Sequence, residues 1–255
     1  MIGIMNRLQN KNILITGASS GIGKECAFRC YEEGAKVHLL GRNERSLKEI
    51  YAQLNDNNNS ISVLDLQDFE RYQNIIENIV TTHGKIDGFI HSAGYQITLP
   101  ISAMNYQMYL DIFSVNTISA FEFIRILSKR NYGNLSGMSI VLIASVMSII
   151  ANPALTAYCA SKAALVGGAK ALALELANNK IKVNCVSPGY LEDTKMMTEL
   201  DEILSNQELD NLKKGYPLGL GSTNDITALC LFLLSDESKW ITGQNIIIDG
   251  GLSVR

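Results

Sequence analysis

A tyrosine and a lysine four residues apart have the clearest chemical potential in this chain. Tyr158 and Lys162 lie in a helical stretch, and residues at i and i+4 share one helix face. An ammonium beside a phenol favours the phenolate, so the lysine is expected to lower the pKa of the tyrosine toward neutrality. Such a phenol can give or take a proton during a reaction. The pair alone is a weak signal. In a chain of this composition, roughly 0.5 occurrences of tyrosine followed by lysine four residues later are expected by chance.

A serine upstream adds a second polar group to the predicted site. Ser145 follows the apolar run Ser139–Ala144, so it is expected at the carboxyl end of a strand. That is where α/β sheets place their ligand contacts. A hydroxyl there can hydrogen-bond a substrate carbonyl and stabilise the charge that develops on its oxygen.

A glycine-rich segment, TGASSGIG, indicates a phosphate site between the apolar stretch Asn12–Ile15 and the helical stretch Lys24–Glu33. A strand, a glycine turn and a helix start together direct backbone N–H groups at a pyrophosphate. We expect Gly17 to make the tight turn, Gly21 to admit the phosphates and Gly23 to let helix and strand pack closely. The spacing differs from the commoner Gly-x-Gly-x2-Gly, and alone it fits an ordinary βα turn equally well.

Composition excludes several classes of protein. The 255 residues are 47% hydrophobic and carry a net charge of −3, so a large core is expected and a basic nucleic-acid footprint is not. The five cysteines form no paired framework and no zinc-ligand spacing, which predicts a reduced, cytoplasmic protein without a structural metal. No signal peptide is evident. The uncharged stretch from Gly137 to Ser161 is interpreted as a buried strand and loop, not a membrane span.

Short apolar runs alternate with helical patterns along the whole chain. The predicted strands are Asn12–Thr16, Lys36–Leu40, Ser60–Leu64, Asp87–His91, Ser139–Ala144, Lys180–Ser187 and Asn245–Ile248. The predicted helices are Ile22–Glu33, Glu44–Leu54, Asp68–Thr82, Tyr106–Lys129, Ala157–Asn178 and Asn224–Leu234. This order predicts an α/β fold, a single Rossmann-type, doubly wound, parallel seven-stranded sheet with helices on both faces. We expect one dinucleotide-binding and catalytic domain, residues 1–255. Residues 190–222 break the rhythm and are a candidate substrate lid, with a plain surface insertion as the alternative.

Together these segments resemble the short-chain dehydrogenase/reductase family, in its single-domain branch, almost end to end. Thr16–Gly23 is similar to the family's cofactor turn, and Asp65 to its adenine contact. Asn116 matches the catalytic asparagine, and Ser145, Tyr158 and Lys162 complete the tetrad at the family's spacing. Further matches are Pro188-Gly189 after the sixth strand and the C-terminal segment from Ile241 to Gly251. One departure is His91-Ser92-Ala93-Gly94, which stands where the family usually has Asn-Asn-Ala-Gly.

The resemblance implies hydride transfer between a nicotinamide and a carbonyl or alcohol carbon. In reduction, Tyr158 would protonate the forming alkoxide while Ser145 holds its oxygen. Lys162 would depress the tyrosine pKa and bind the nicotinamide ribose, and Asn116 would hold a water of a proton relay. The cofactor-binding residues that it implies are Gly17, Ser19, Ser20, Gly21, Ile22, Gly23, Arg42, Asp65, Leu66, Ala93, Gly94, Tyr158, Lys162, Pro188, Gly189, Leu191 and Thr194.

The residue after the second strand favours NADPH over NADH. An NAD site would place an acidic residue there, whereas this chain has Arg42 and no carboxylate before Glu44. An arginine can pair with the 2′-phosphate. Such a bond is worth about 1.5–3 kcal/mol, or roughly ten- to a hundredfold in affinity. The alternatives are a surface arginine and an NAD-dependent alcohol or polyol dehydrogenase. A non-catalytic cofactor-binding scaffold is disfavoured by the intact tetrad.

The resemblance is closest to 3-oxoacyl-[acyl-carrier-protein] reductases, but parts of their pattern are missing. Lys129-Arg130 matches one basic docking position, whereas Leu174 stands where arginine is usual, which makes an acyl carrier protein a doubtful partner. Asp193 occupies the position of the family's nicotinamide-binding threonine, and a one-residue insertion would restore Thr194. The predicted substrate is a small carbonyl or alcohol compound, a 3-oxoacyl thioester or keto-sugar among the candidates, with no nucleic-acid or membrane partner. The resemblance also implies a homo-oligomer, a tetramer or dimer, through Tyr106–Lys129, Ala157–Asn178 and Trp240–Arg255.

Overall fold

The computed structural model describes residues 6–195, 197–198 and 205–254. Seven parallel strands form one sheet in the order β3-β2-β1-β4-β5-β6-β7. The strands are β1 Asn12–Thr16, β2 Lys36–Gly41, β3 Ser60–Val63, β4 Gly88–His91, β5 Ser139–Ile143, β6 Lys182–Pro188 and β7 Asn245–Ile248. This topology confirms the predicted fold class. Its order reverses between β1 and β4, where open α/β sheets bind their ligands.

Helices cover both faces of the sheet. They are α1 Gly21–Glu32, α2 Glu44–Leu54, α3 Arg71–His83, α4 Tyr106–Phe113, α5 Ser119–Leu127, α6 Thr156–Leu176, α7 Asn206–Lys214 and α8 Thr223–Leu234. Successive strand residues point to opposite faces. Accordingly Leu14 packs in a core with residues of α3, α5 and α6, while Ile13 and Ile15 pack with residues of α1, α2 and α8. Burial on both faces explains why the strand sequences are continuously apolar.

The stretch predicted as one helix, Tyr106–Lys129, is interrupted in the structure. A π-helical turn, Ser114–Ile118, separates α4 from α5, and α5 ends at Leu127. The turn carries Asn116, which is fully buried. Single π turns inside helices often occur at functional sites, because the extra residue shifts side chains and carbonyls out of the regular pattern.

Other predicted boundaries differ by one to three residues. The third helix begins at Arg71 instead of Asp68. Strand β6 begins at Lys182, because Lys180 has a left-handed backbone conformation with φ 55°, which an extended strand cannot include. The region predicted as a lid, 190–222, includes α7; its residues 196 and 199–204 lie outside the described residues.

Among the described residues, no helix is both long and apolar enough to cross a membrane. The same residues contain no group of three or more histidine, cysteine or acidic side chains that could hold a metal ion. All five cysteines are free thiols, and all except Cys159 are buried. The uncharged stretch from Gly137 to Ser161 contains β5, a loop and the first turn of α6.

Candidate active site

Two adjoining cavities lie at the carboxyl ends of the strands. The larger, about 680 Å³, lies above the glycine-rich turn and extends to the ends of β2 and β3. The smaller, about 140 Å³, lies beside the ends of β5 and β6. Six residues line both cavities: Ile22, Ser92, Gly94, Tyr95, Gln96 and Thr194. A ligand that filled the larger cavity would therefore reach the smaller one.

The glycine-rich turn requires glycine at two positions for different reasons. Gly17 has a left-handed φ of 68°, and a Cβ on it would lie 2.6 Å from the backbone nitrogen of Ala93. A Cβ on Gly23 would lie 2.4 Å from the carbonyl oxygen of Gly17. Since real Cβ atoms do not approach so closely, side chains at either position would force the turn apart. The tight turn and the close helix packing both agree with the sequence prediction.

The N-terminus of α1 faces the larger cavity. Its cap residue, Ser20, makes no side-chain hydrogen bond to the helix, and the first turn contains no acidic residue. Ser19, Ser20 and Gly21 line the cavity. The first N–H groups of a helix lack partners within it, and the helix dipole favours negative charge at that end. The residues present therefore form a cradle that fits a pyrophosphate.

At the far end of the larger cavity, an arginine follows β2. Arg42 is exposed, lines the cavity, and makes no ion pair with any described residue. The next residue is occupied, because the Asn43 side chain caps α2 by accepting from the Ser46 N–H at 3.0 Å. Asp65 and Leu66, after β3, line the same cavity. The Asp65 carboxylate accepts from the Gln67 N–H at 3.0 Å.

Three of the predicted catalytic residues line the smaller cavity: Ser145, Tyr158 and Lys162. Ser145 lies two residues beyond β5 and caps a short 3₁₀ turn, where its Oγ accepts from the Met147 N–H at 3.1 Å. Tyr158 and Lys162 lie one turn apart near the start of α6. The strand end and the helix start together bring the hydroxyl, the phenol and the ammonium around one cavity.

The sequence predicts that Lys162 lowers the pKa of Tyr158, and for this structure that prediction is wrong. Burial raises the pKa of Tyr158 to about 12, although a hydrogen bond with Ser145 opposes the rise. Lys162 does not counteract it, since its Nζ donates to the Ile143 carbonyl at 2.8 Å and lies 5.9 Å from the centroid of the tyrosine ring. Burial also lowers the pKa of Lys162 to about 8. The phenol is therefore protonated at neutral pH, and the lysine is mostly cationic there.

Asn116 connects the π turn to the wall of both cavities. Its Oδ1 accepts from the Tyr95 N–H at 3.0 Å, and its Nδ2 donates to the Tyr95 carbonyl and to Ser161 Oγ, each at 3.0 Å. These bonds supply the partners that a buried amide requires. A Cβ on Gly94 would lie 3.1 Å from both the Asn116 Oδ1 and the Lys162 Nζ, so the two groups converge on the same backbone.

The segment after β6 shows which residue faces the cavities. Asp193 points toward α8, where its carboxylate accepts from the Thr223 N–H and hydroxyl at 2.6 to 3.0 Å. Thr194 lines both cavities, and its Cγ2 lies 4.0 Å from the position of a Cβ on Gly21. Pro188, Gly189 and Leu191 line the smaller cavity as well.

Eight further residues line the smaller cavity and were not predicted from the sequence: Ser92, Tyr95, Gln96, Ile143, Ala144, Val146, Met147 and Tyr190. Each lies within two residues of a predicted site residue, namely Gly94, Ser145 or Gly189. The rule that ligands contact the loops after strand ends was therefore a sufficient signal for them. Lys162 is the sole charged side chain among the described residues that line this cavity.

Known proteins with similar sequences and structures bear on this geometry. A family model described as enoyl-(acyl carrier protein) reductase matches residues 17–253. The chain is 34% identical over 251 residues to a 3-oxoacyl-[acyl-carrier-protein] reductase from Thermotoga maritima, covering 97% of this chain and 100% of the relative. It is also 34% identical over 250 residues to an NAD-dependent glycerol dehydrogenase from Listeria innocua, covering 97% and 96%. A solved actinorhodin polyketide ketoreductase with NADPH superposes with a TM-score of 0.89 at 27% identity, covering 96% and 98%.

Proposed function

The chain belongs to the short-chain dehydrogenase/reductase family, and from that premise we propose that it is an NADPH-dependent ketoreductase. The observation that carries the proposal is the convergence of Ser145, Tyr158 and Lys162 on one cavity beside the glycine cradle. A hydroxyl, a phenol and an ammonium suit proton transfer to an oxygen that gains charge as its carbon accepts a hydride.

The chain's own residues handle the oxygen and the proton. NADPH, when bound, supplies the hydride from its nicotinamide. The Ser145 hydroxyl holds the carbonyl oxygen of the substrate, and the Tyr158 hydroxyl gives its proton to that oxygen as the alcohol forms. A tyrosine with a pKa near 12 is protonated throughout the physiological range, as a general acid must be.

Lys162, Asn116 and Thr194 are proposed to position the cofactor and the proton path. The ammonium of Lys162 has three hydrogens, and the two that it does not donate to Ile143 are available to the nicotinamide ribose. Asn116 holds a water of the relay, as the family resemblance implies. Thr194 faces Gly21 across the cleft, which suits contact with the nicotinamide carboxamide.

The preference for NADPH rests on Arg42, which lines the cavity without a carboxylate partner among the described residues. A 2′-phosphate would provide that partner through a charge-assisted fork. The relatives differ, because one is named NAD-dependent and the structural neighbour was solved with NADPH. An NAD-dependent alcohol or polyol dehydrogenase is therefore the second candidate.

We also propose an uncharged substrate, since Lys162 alone is charged among the described lining of the smaller cavity.

The exposed apolar residues Leu174 on α6 and Trp240, which are 81% and 96% exposed, support a homo-oligomer. Lys129 and Arg130, just beyond α5, provide one of the two basic docking positions. Because Leu174 occupies the other, an acyl carrier protein is a doubtful partner. A single cytoplasmic domain with a substrate lid at 190–222 completes the proposal.

The cofactor preference is tested by fluorescence titration of the protein with NADPH and NADH. We expect NADPH to bind roughly tenfold tighter or more, and the gap to close in Arg42→Ala. Arg45→Ala is the matched control, because Arg45 is exposed on α2 and pairs with Glu49 at 2.9 Å. Equal binding of both cofactors by the unaltered protein would contradict the Arg42 assignment and favour the NAD-linked alternative.

The catalytic assignment is tested by NADPH oxidation with a panel that includes an acetoacetyl thioester, a keto-sugar and an uncharged aryl ketone. For the ketone that is reduced, Tyr158→Phe is expected to lower kcat by about a hundred- to ten-thousandfold, as loss of a general acid does. NADPH binding should persist in that variant. Tyr132→Phe is the control, since Tyr132 bonds Glu77 far from the cavity. Cofactor binding without turnover of any ketone or alcohol would favour the scaffold.

A further inference from the structure

A buried histidine lies beneath the site, and the proposed reaction assigns it no role. His91 ends β4 and is fully buried, where the family resemblance leads one to expect an asparagine. It stands opposite Thr16 in the β1–β4 register. Its Nδ1 lies 2.9 Å from the Thr16 Oγ1, and Thr16 is the first residue of the glycine-rich segment.

The other edge of the ring faces the π turn. The Nε2 of His91 lies 3.5 Å from the Ser119 Oγ, and that hydroxyl donates to the Val115 carbonyl at 2.7 Å. A hydroxyl has one hydrogen. Because Ser119 uses it on Val115, the tautomer that fits both ring contacts carries its proton on Nε2, directed at the Ser119 oxygen. Nδ1 then accepts from the Thr16 hydroxyl.

The ring is neutral across the working pH range. Burial, and less strongly the charge of Lys162, lower the pKa of His91 to about 3, while the Val115 carbonyl opposes both effects. A neutral imidazole with one donor and one acceptor can therefore bridge two elements without repelling the lysine ammonium.

The contacts of His91 connect two segments of the proposed site, the glycine-rich segment and the π turn that carries Asn116. Val115 immediately precedes Asn116, and Asn116 holds both backbone polar groups of Tyr95 in the cavity wall. Val115 lies in the π turn, so the bond from the Ser119 hydroxyl to its carbonyl links the ring of His91 to that turn. The chain of contacts runs from Thr16 through His91 and Ser119 to Val115.

We propose that His91 is a positioning residue that locks the π turn against the glycine-rich turn and so fixes Asn116 relative to Lys162. This role rests on the proposed function for its effect on turnover, although the contacts themselves do not. If His91 merely filled space, an apolar side chain of similar size would serve equally well.

The test compares His91→Leu, which removes both ring contacts, with His91→Asn, which keeps one donor and one acceptor. Each is measured as kcat per NADPH-binding site and as ketone KM. A misplacement of catalytic groups by about 1 Å can cost about a hundredfold. We expect kcat to fall roughly ten- to a hundredfold in the leucine variant, with KM nearly unchanged, and most of kcat to return in the asparagine variant.

A second readout works without any turnover. The Tyr95 N–H donates to Asn116, so loss of the lock should accelerate its amide hydrogen exchange, by about tenfold in His91→Leu and little in His91→Asn. Thr16→Val, which keeps the β-branched shape, should reproduce the acceleration. Equal exchange and equal kcat in the leucine and asparagine variants would overturn the proposal. Changed exchange in a protein that reduces no ketone would instead show that the proposed function fails while the positioning role stands.

Discussion

Helices α1 and α8 both begin at a serine cap, but only the N-terminus of α8 is bonded to carboxylates of the protein. At α8, both the N–H and the hydroxyl of Ser222 donate to Asp225, at 2.7 and 2.8 Å. Asp193 adds a second carboxylate there, bonded to Thr223. At α1, the Ser20 side chain makes no cap bond and the first turn has no acid. The charge of one helix end is thus neutralised by the protein, and that of the other remains available to a ligand.

The contrast between the two helix ends also explains why Thr194, and not Asp193, faces the cleft in the segment after β6. Asp193 is committed to α8, and this commitment leaves Thr194 facing the cleft across from Gly21. A carboxylate in the cleft would repel the phosphates that the α1 cradle fits. Its position outside the cleft is therefore compatible with anion binding, and its capping bonds stabilise the loop that carries Thr194.

The buried Lys162 and the partly buried Lys182 show the same contrast between a group with all its partners in the protein and a group open to a ligand. Burial lowers the pKa of both Lys162 and Lys182 to about 8. Lys182 donates to two carbonyls at the end of α8 and to the Ser238 hydroxyl, at 2.6 to 3.0 Å, so all three of its hydrogens have partners. Lys162 donates once, to Ile143, and lines a cavity. A shifted pKa alone does not distinguish the functional lysine, whereas the unused donors do.

The largest change in NADPH affinity is expected when a carboxylate is placed at the N-terminus of α1, the helix end that is open to a ligand. Ser20→Asp would put a negative charge beside the pyrophosphate, and two unit charges about 4 Å apart repel by about 4 kcal/mol at an effective dielectric constant near 20. We expect NADPH to bind about a thousandfold more weakly, which is the affinity change that 4 kcal/mol represents. Stability should be unchanged or slightly higher, because the aspartate can also cap the helix. Fluorescence titration and urea unfolding measure the two effects.

Ser20→Asn is the matched control for that variant. Asparagine has nearly the same size and the same capping ability as aspartate, but it carries no charge. It should bind NADPH within about threefold of the unaltered protein, a difference of less than 1 kcal/mol. If both variants lost the cofactor equally, steric exclusion would explain the loss, and the electrostatic role of the open helix end would be wrong.

Features that depend on local backbone sterics were predictable from the sequence. Gly17 and Gly23 could be assigned because a left-handed turn and a close helix contact each tolerate glycine alone. The position of Ser145 followed from the apolar run before it, since a strand must end where its apolar pattern ends. The fold class followed from the alternation of strands and helices in the same way.

Features that depend on distant contacts were not predictable in this way. The pKa of Tyr158 reflects how deeply α6 is buried and where the Lys162 amine finds an acceptor, which is the Ile143 carbonyl nineteen residues away. The π turn around Asn116 leaves no periodicity signal, because one inserted residue hardly alters the apolar pattern. The sequence also left Asp193 and Thr194 as alternatives, since the capping contact spans thirty residues.

A smaller effect, on stability, is expected when the Asp193 carboxylate is removed from the N-terminus of α8. Asp193→Ala removes the hydrogen bonds to Thr223, and loss of an N-terminal cap typically costs about 1–2 kcal/mol. For a protein of this size, that loss lowers Tm by roughly 2–8 °C. Asp193→Asn keeps an acceptor oxygen and should recover much of the stability. Thermal unfolding of the three proteins, followed by circular dichroism, gives the comparison.

The same variant separates the structural role of Asp193 from a role in the cleft. Because the carboxylate points to α8, its removal should change the Kd for NADPH by less than about threefold, or under 1 kcal/mol. A tenfold loss of NADPH affinity with an unchanged Tm would reverse the assignment, since Asp193 would then act on the cofactor and Thr194 would not. A loss of stability with retained affinity would establish that one helix end is closed for folding while the other is kept open for binding.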